Sequence, residues 1–237
     1  MRLSEGYKMK SKQSGFTLVE IAIVLVIIGL LLGGILKGQE LITNAKVRNI
    51  ADQQSALKAA YFAFQDRFRA LPGDYRDAAT NIPNSTNAPA ANIGNAKIES
   101  TETSYAWQHL TNAGFISCSQ CSTNPPNNAA TADSSNSPVN AFGGVLKLEF
   151  DDNYAFINAG GTASTGPANN TNNLKTGSQI PSNMLAEVDR KIDDGKPFTG
   201  SFRFSLDGGS TATCVDTSTK EWAIATPIAT CGGASTL

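Results

Sequence analysis

Ile21 to Leu36 is a run of sixteen residues with no charge, and it follows directly on a glutamate, Glu20. Taken with the preceding residues, Phe16 to Leu36 spans 21 residues, or about 31 Å as a helix at 1.5 Å per residue, close to the hydrocarbon thickness of a bilayer. The segment before it, Met1 to Gly15, is short and polar and carries Arg2, Lys8, Lys10 and Lys12 against one acid, Glu5. Such a basic flank predicts that the N-terminus stays in the cytoplasm and the remainder is exported. A secretory signal peptide would need a small-residue cleavage site after the apolar run. Gly33-Gly34 is a weak match, and no Ala-x-Ala follows. Neither that reading nor a plain single-span anchor accounts for Glu20. A carboxylate so placed costs roughly 2.5–3.5 kcal/mol on insertion scales and calls for a partner.

Gly15-Phe16-Thr17-Leu18-Val19-Glu20, followed by the apolar run, resembles the signal of type IV pilins and type II secretion pseudopilins. The resemblance implies cleavage by a prepilin peptidase between Gly15 and Phe16, N-methylation of Phe16, and Glu20 as fifth residue of the mature chain. It also implies a partner for Glu20, namely the new amine at Phe16 of a neighbouring subunit. A lone charge would then favour assembly and set register, as buried polar groups do in coiled coils. The remaining implied partners are the bilayer, other pilin-like subunits, and an inner-membrane assembly platform driven by an ATPase. The implied location is the bacterial inner membrane, with a periplasmic C-terminal head. One departure stands out. Many major pilins have a glycine and then a proline in this helix; Gly29 matches the first, whereas Lys37 occupies the usual proline position. This leans toward a pseudopilin or minor subunit.

No proline occurs between Phe16 and Leu71, so the helix is expected to run to about residue 71, where Leu71-Pro72-Gly73-Asp74 stops it. Val47, Ile50, Leu57, Tyr61, Phe64, Phe68 and Leu71 follow a 3-4 spacing interrupted by Gln54. The stripe suits a helix seam or a sheet face, and its aromatic bulk favours the sheet. The domain reading is a leader over 1–15, a transmembrane helix over 16–36, its amphipathic continuation over 37–71, and an exported head over 72–237. The fold class is α+β: a long helix against an antiparallel sheet.

In the head, Thr80–Lys97, Thr123–Ala141 and Asn158–Gln179 are rich in Asn, Ala, Thr, Ser, Gly and Pro and read as surface loops. A short helix is expected over Thr103–Ala113, with Tyr105, Trp107 and Leu110 as apolar contacts. A hairpin is expected from Gly143–Phe150 and Asn153–Ala159 around Asp151-Asp152. Ser182 is a candidate N-cap for a helix over 183–192. Ser201–Leu206 alternates as a strand, and Glu221–Thr226 is read as the last strand. Ala70–Tyr75 and Val188–Pro197 are similar to segments of large prepilin-like proteins.

Charge is nearly balanced, with 19 basic and 20 acidic residues, which gives no footprint for nucleic acid. One histidine and four cysteines in 237 residues exclude most histidine-based and metal-hydrolase schemes. Four cysteines in an exported domain indicate disulfides, with three pairings open. The preferred pairs are Cys118–Cys121 and Cys214–Cys231; the second resembles the disulfide-bounded region of many pilins. Some pseudopilins bind calcium in the head. Asp151-Asp152, Asp193-Asp194 and Asp207 offer oxygen ligands, with Asp193 and Asp194 the named candidates, although none has EF-hand spacing. No nucleophile, base and orienting group form a set, so the chain is not read as an enzyme. The function expected is a pilin-like subunit of a type IV pilus or type II secretion pseudopilus. The alternative is a membrane-anchored binding module at a filament tip, an adhesin or DNA-uptake subunit.

Overall fold

A computed structural model describes residues 17–89, 93–122 and 131–237. The chain divides into two compact units, residues 1–43 and 44–237. Gly15 and Phe16 lie outside the described residues.

Helix α1 spans Leu18–Phe68. It ends three residues before Leu71 because Arg69 turns left-handed, at φ 54°, and its N–H still closes on the Gln65 carbonyl at 2.9 Å. The residue preceding Pro72 could not have continued the helix in any case. Within the first unit the helical side chains are exposed: Leu18 at 90 %, Leu30 at 73 %, and no residue of the most apolar 18-residue window is buried. An all-apolar helix with no protein cover is the pattern of a membrane span.

In the second unit the helical stripe is covered. Val47, Ile50, Leu57, Tyr61 and Phe64 are buried, along with Ala51, Gln54 and Ala60. Two short helices follow, α2 (Ala78–Asn81) and α3 (Thr103–Asn112), the latter burying Tyr105, Trp107 and Leu110 as expected. Then come β1 (Lys147–Asp151), β2 (Phe156–Ile157), β3 (Ala163–Ser164) and β4 (Thr171–Lys175). Helix α4 (Ser182–Ile192) leads to β5 (Phe202–Ser205), β6 (Val215–Asp216), β7 (Glu221–Trp222) and β8 (Gly232–Thr236). The main sheet has the order β1-β4-β8-β5 and is antiparallel throughout. Pairs β2–β3 and β6–β7 form separate two-stranded ribbons.

One register row crosses the main sheet through Leu148, Leu174, Ser235 and Phe202. Leu148 and Leu174 share a core with Leu57 and Phe64 of α1, and Phe202 shares the neighbouring core with Val47 and Ile50. The break in the stripe at Gln54 falls opposite the one polar member of that row. Ser235 Oγ donates to Gln54 Oε1 at 3.1 Å. Sheet packing of α1 therefore accounts for both the aromatic positions and the interruption.

Several expectations are corrected. The hairpin around Asp151-Asp152 does not form: β1 pairs with β4, and the chain after it enters the β2–β3 ribbon. Strand β4 lies inside the segment read as the loop Asn158–Gln179. Its sequence, Thr-Asn-Asn-Leu-Lys, shows no apolar alternation because Asn173 and Lys175 are buried through hydrogen bonds and ion pairs. The last strand is β8, since ordered pairing after Glu221 ends at Trp222. Its Gly-Gly-Ala-Ser-Thr looks like turn material, yet the Phe202 ring packs on Gly233 where any Cβ would collide. Pro181, not Ser182, precedes α4. The Ser182 hydroxyl donates to the Ala223 carbonyl and accepts from the Ile228 N–H at 3.0 Å, tying α4 to the segment after β7. The polar segments also bury more than surface loops do. Ile82 is fully covered and Ile93 is buried, and the Asn140 amide spans the Thr176 and Ser178 carbonyls at 2.9 and 3.1 Å. The Thr123–Ala141 segment lies partly outside the described residues.

Candidate functional site

The start of α1 is a reciprocal cap. The Thr17 N–H donates to Glu20 Oε2 at 2.8 Å, and the Thr17 hydroxyl donates to the same oxygen at 2.9 Å. The Glu20 N–H returns to Thr17 Oγ1 at 3.2 Å. This is the Thr-x-x-Glu capping box, which satisfies helix-start N–H groups that have no intrahelical carbonyl. The sequence carries the signal openly, but the reading above looked for the partner of Glu20 only on a second subunit. Farther along, Lys37 and Glu40 pair at 2.7 Å, placing the first ion pair of α1 just past the apolar run.

The cysteines form two bridges in the second unit, Cys118–Cys121 and Cys214–Cys231. The second encloses the β6–β7 ribbon rather than the last strand; β8 begins immediately after it. Both bridges are buried in the apolar cores.

The acidic candidates separate into two groups. Asp193 and Asp194 converge with Asp189, a residue the sequence reading passed over. All three carboxylates already serve N–H groups. Asp189 accepts from Trp222 Nε1 at 2.8 Å and from the Gly195 N–H at 3.2 Å. Asp193 accepts from the N–H groups of Ser201 and Phe202, and Asp194 from that of Lys196 at 2.8 Å. Burial pushes the Asp189 carboxyl up to about 7, although the Trp222 and Gly195 donors pull it down. Asp193 pins the end of α4 to the start of β5, Asp189 ties α4 to Trp222 of β7, and Asp194 holds the turn at Lys196.

Asp151 and Asp207 belong to a different arrangement. Lys175 of β4 is 1 % exposed, and its ammonium lies 3.0 Å from Glu149, 3.8 Å from Asp207, and against Asp151. Burial opposes the charge on Lys175, but Asp207, Glu149 and Asp151 outweigh it and raise its pKa. Lys147 adds a second contact to Asp207 at 3.0 Å. An ammonium thus sits where these carboxylates would otherwise face a cation.

Two further buried groups hold the segments after α1. His109 Nδ1 accepts the Gly73 N–H at 3.0 Å, so Nε2 carries the proton donated to the Thr86 carbonyl at 2.8 Å. Burial lowers its pKa to about 4. Asp74 accepts three consecutive backbone N–H groups, of Gly94, Asn95 and Ala96. The Leu71–Asp74 phrase is therefore more than a helix stop. A groove of about 620 Å³ beside Gln53, Leu57, Phe115 and Val139 contains no acid, base or free thiol among its described lining residues.

The family model described as the prokaryotic N-terminal methylation motif matches residues 10–36. The chain carries the prepilin-type signal of the type IV pilin and pseudopilin family. The motif supports a pilin-like subunit of type IV pili or secretion pseudopili. The signal implies processing by a prepilin peptidase and assembly with other pilin subunits, and together with the long apolar helix it fits a membrane-anchored pilin. No curated protein and no solved structure matches the chain significantly.

Proposed function

We propose that this pilin-like chain is cut between Gly15 and Phe16, methylated at Phe16, held in the inner membrane by residues 16–36 with its head in the periplasm, and assembled from there into a filament or pseudopilus. The observation that carries this reading is the methylation motif over residues 10–36, overlapping a helix whose most apolar window is uncovered among the described residues. Lipid covers them first. On extraction, helices of other subunits must replace the lipid contacts, because water cannot. The glycines support this. A Cβ at Gly29, Gly33, Gly34 or Gly38 would meet nothing within 4 Å, so the subunit's own packing does not require them. Each costs about 1 kcal/mol of helix propensity relative to alanine, a cost that close approach of neighbouring helices offsets.

In the same reading Glu20 meets the methylated amine of an adjacent subunit, and an assembly platform powered by an ATPase does the work of extraction. Mass spectrometry of the natively expressed N-terminus tests the proposal. A chain beginning at N-methylated Phe16 is expected; an intact Met1, or a terminus near residue 34, would overturn it.

A further inference from the structure

We propose that Phe62 of one copy of this chain seats in the groove beside α1 of another copy, in a head-to-tail contact between subunits. The proposal rests on the assembly reading above and names one contact within it. Among the described residues of the second unit, the exposed large apolar side chains are Phe62, Val139 and Ile224. Single apolar residues on a surface are ordinary. Two of these, however, belong to features that match. Phe62 projects from α1 at 44 % exposure, with its ring edge-on to the buried Tyr61 ring at a centroid distance of 5.3 Å. An aromatic side chain has few torsions to fix, so it docks at low entropic cost. Val139 lines the groove, whose apolar wall continues through Leu57, Phe115 and Ile116. At about 620 Å³ the groove has room for such a ring, pockets for small ligands being about 300–1,000 Å³.

Charge matches as well. The Arg67 guanidinium lies 6.0 Å from the centre of the Phe115 ring, which puts a cation at that end of the groove. Asp66 shares the surface around Phe62, and its pair with Arg69 at 3.4 Å is largely exposed, where such pairs hold weakly. Seating Phe62 brings Asp66 toward Arg67 of the other copy, an acid toward a base. The groove itself has no charged side chain among its described lining residues, so a ring enters it without burying a charge.

The contact is not self-complementary. Phe62 and the groove residue Gln53 are nine residues apart on α1, about 2.5 turns, and so face opposite sides of the helix. Each copy therefore offers a ring on one side and a groove on the other. Contacts between unlike surfaces repeat from copy to copy into a closed ring or an open filament, whereas a twofold dimer joins like surfaces.

Thiol cross-linking in membranes of cells expressing the full chain tests the contact. All four native cysteines are paired, which leaves introduced thiols as the reactive ones. Gln65→Cys sits beside Phe62, and Ala56→Cys lies in the groove; both positions are exposed. With a short bis-maleimide, the double variant is expected to give a ladder of multimers, and the two single variants co-expressed a dimer. Each single variant alone should cross-link about tenfold less. Phe62→Ala in the double variant should reduce the ladder about tenfold, with Ile224→Ala leaving it intact and neither lowering the melting temperature. No ladder, a ladder indifferent to Phe62→Ala, linkage only to a different protein, or equal cross-linking of a single variant overturns the proposal. The assembly reading is judged apart from it: an unprocessed N-terminus refutes that reading, whereas the ladder still decides the contact between membrane-held copies.

Discussion

Single side chains in the head are decided by what surrounds their charge. Lys175 is buried and stays ionised because three carboxylates face it. Lys175→Met would leave Glu149 and Asp151 without their counter-charge, with Lys147 still reaching Asp207. Removing one partner from a buried pair costs about 3–5 kcal/mol, so denaturant unfolding of the detergent-solubilised chain should show a loss of that order. Added calcium should recover part of it, since the vacated space is ringed by oxygen ligands. Glu102 behaves differently. Its Oε1 has no hydrogen-bond partner among the described residues, and burial pushes its pKa up to about 7, assisted by the nearby charges of Asp74 and Glu99 and opposed by the Glu99 N–H. The folded chain thus holds a proton that the unfolded chain releases near 4.5. Stability from this group is fully present below that pH and is lost as pH rises through about 7. The loss amounts to about 3 kcal/mol. Glu102→Gln should flatten the pH dependence between 4.5 and 7 in thermal melts and raise stability at pH 8.

At the level of elements, how much could be read from the chain depended on where each buried polar group finds its partner. α1, α3 and β5 were legible because their apolar positions repeat at the period of their own structure. β4 and β8 were not. In β4, Asn173 and Lys175 replace apolar residues and are balanced by acids on β1 and after β5, a compensation invisible from within the segment. In β8, small residues are required by the Phe202 ring and by Gln54 on α1, both distant in sequence. The expected hairpin failed for the complementary reason: local alternation cannot say which of two possible neighbours a strand takes. At the candidate site, Glu20 was legible from its chemistry and Thr17 from its spacing. Asp189 escaped because it sits inside a helix, and only folding brings it beside Asp193 and Asp194. Two predictions belong at this scale. Replacing Cys214 and Cys231 together with serine reopens a loop with a sequence separation of 17. The chain-entropy model puts the loss at about 3 kcal/mol, readable as a lower melting temperature. Gly33→Leu should leave the subunit's helix content unchanged or higher by circular dichroism, yet reduce filament incorporation by blocking close helix approach.

For the whole molecule, the two units face different demands. Residues 18–36 carry exposed apolar side chains suited to lipid or to other helices, and residues 44–237 carry two apolar cores of their own. The second unit's sheet closes through β8, which lies between β4 and β5 and accepts α1 through Ser235. Until residues 232–236 have been synthesised, the β4 and β5 edges that β8 pairs with stand open and Gln54 lacks the Ser235 hydroxyl. Such a topology cannot be acquired stepwise from the N-terminus. The second unit's fold is completed only when its tail is present, and that tail acts as the keystone of the native sheet.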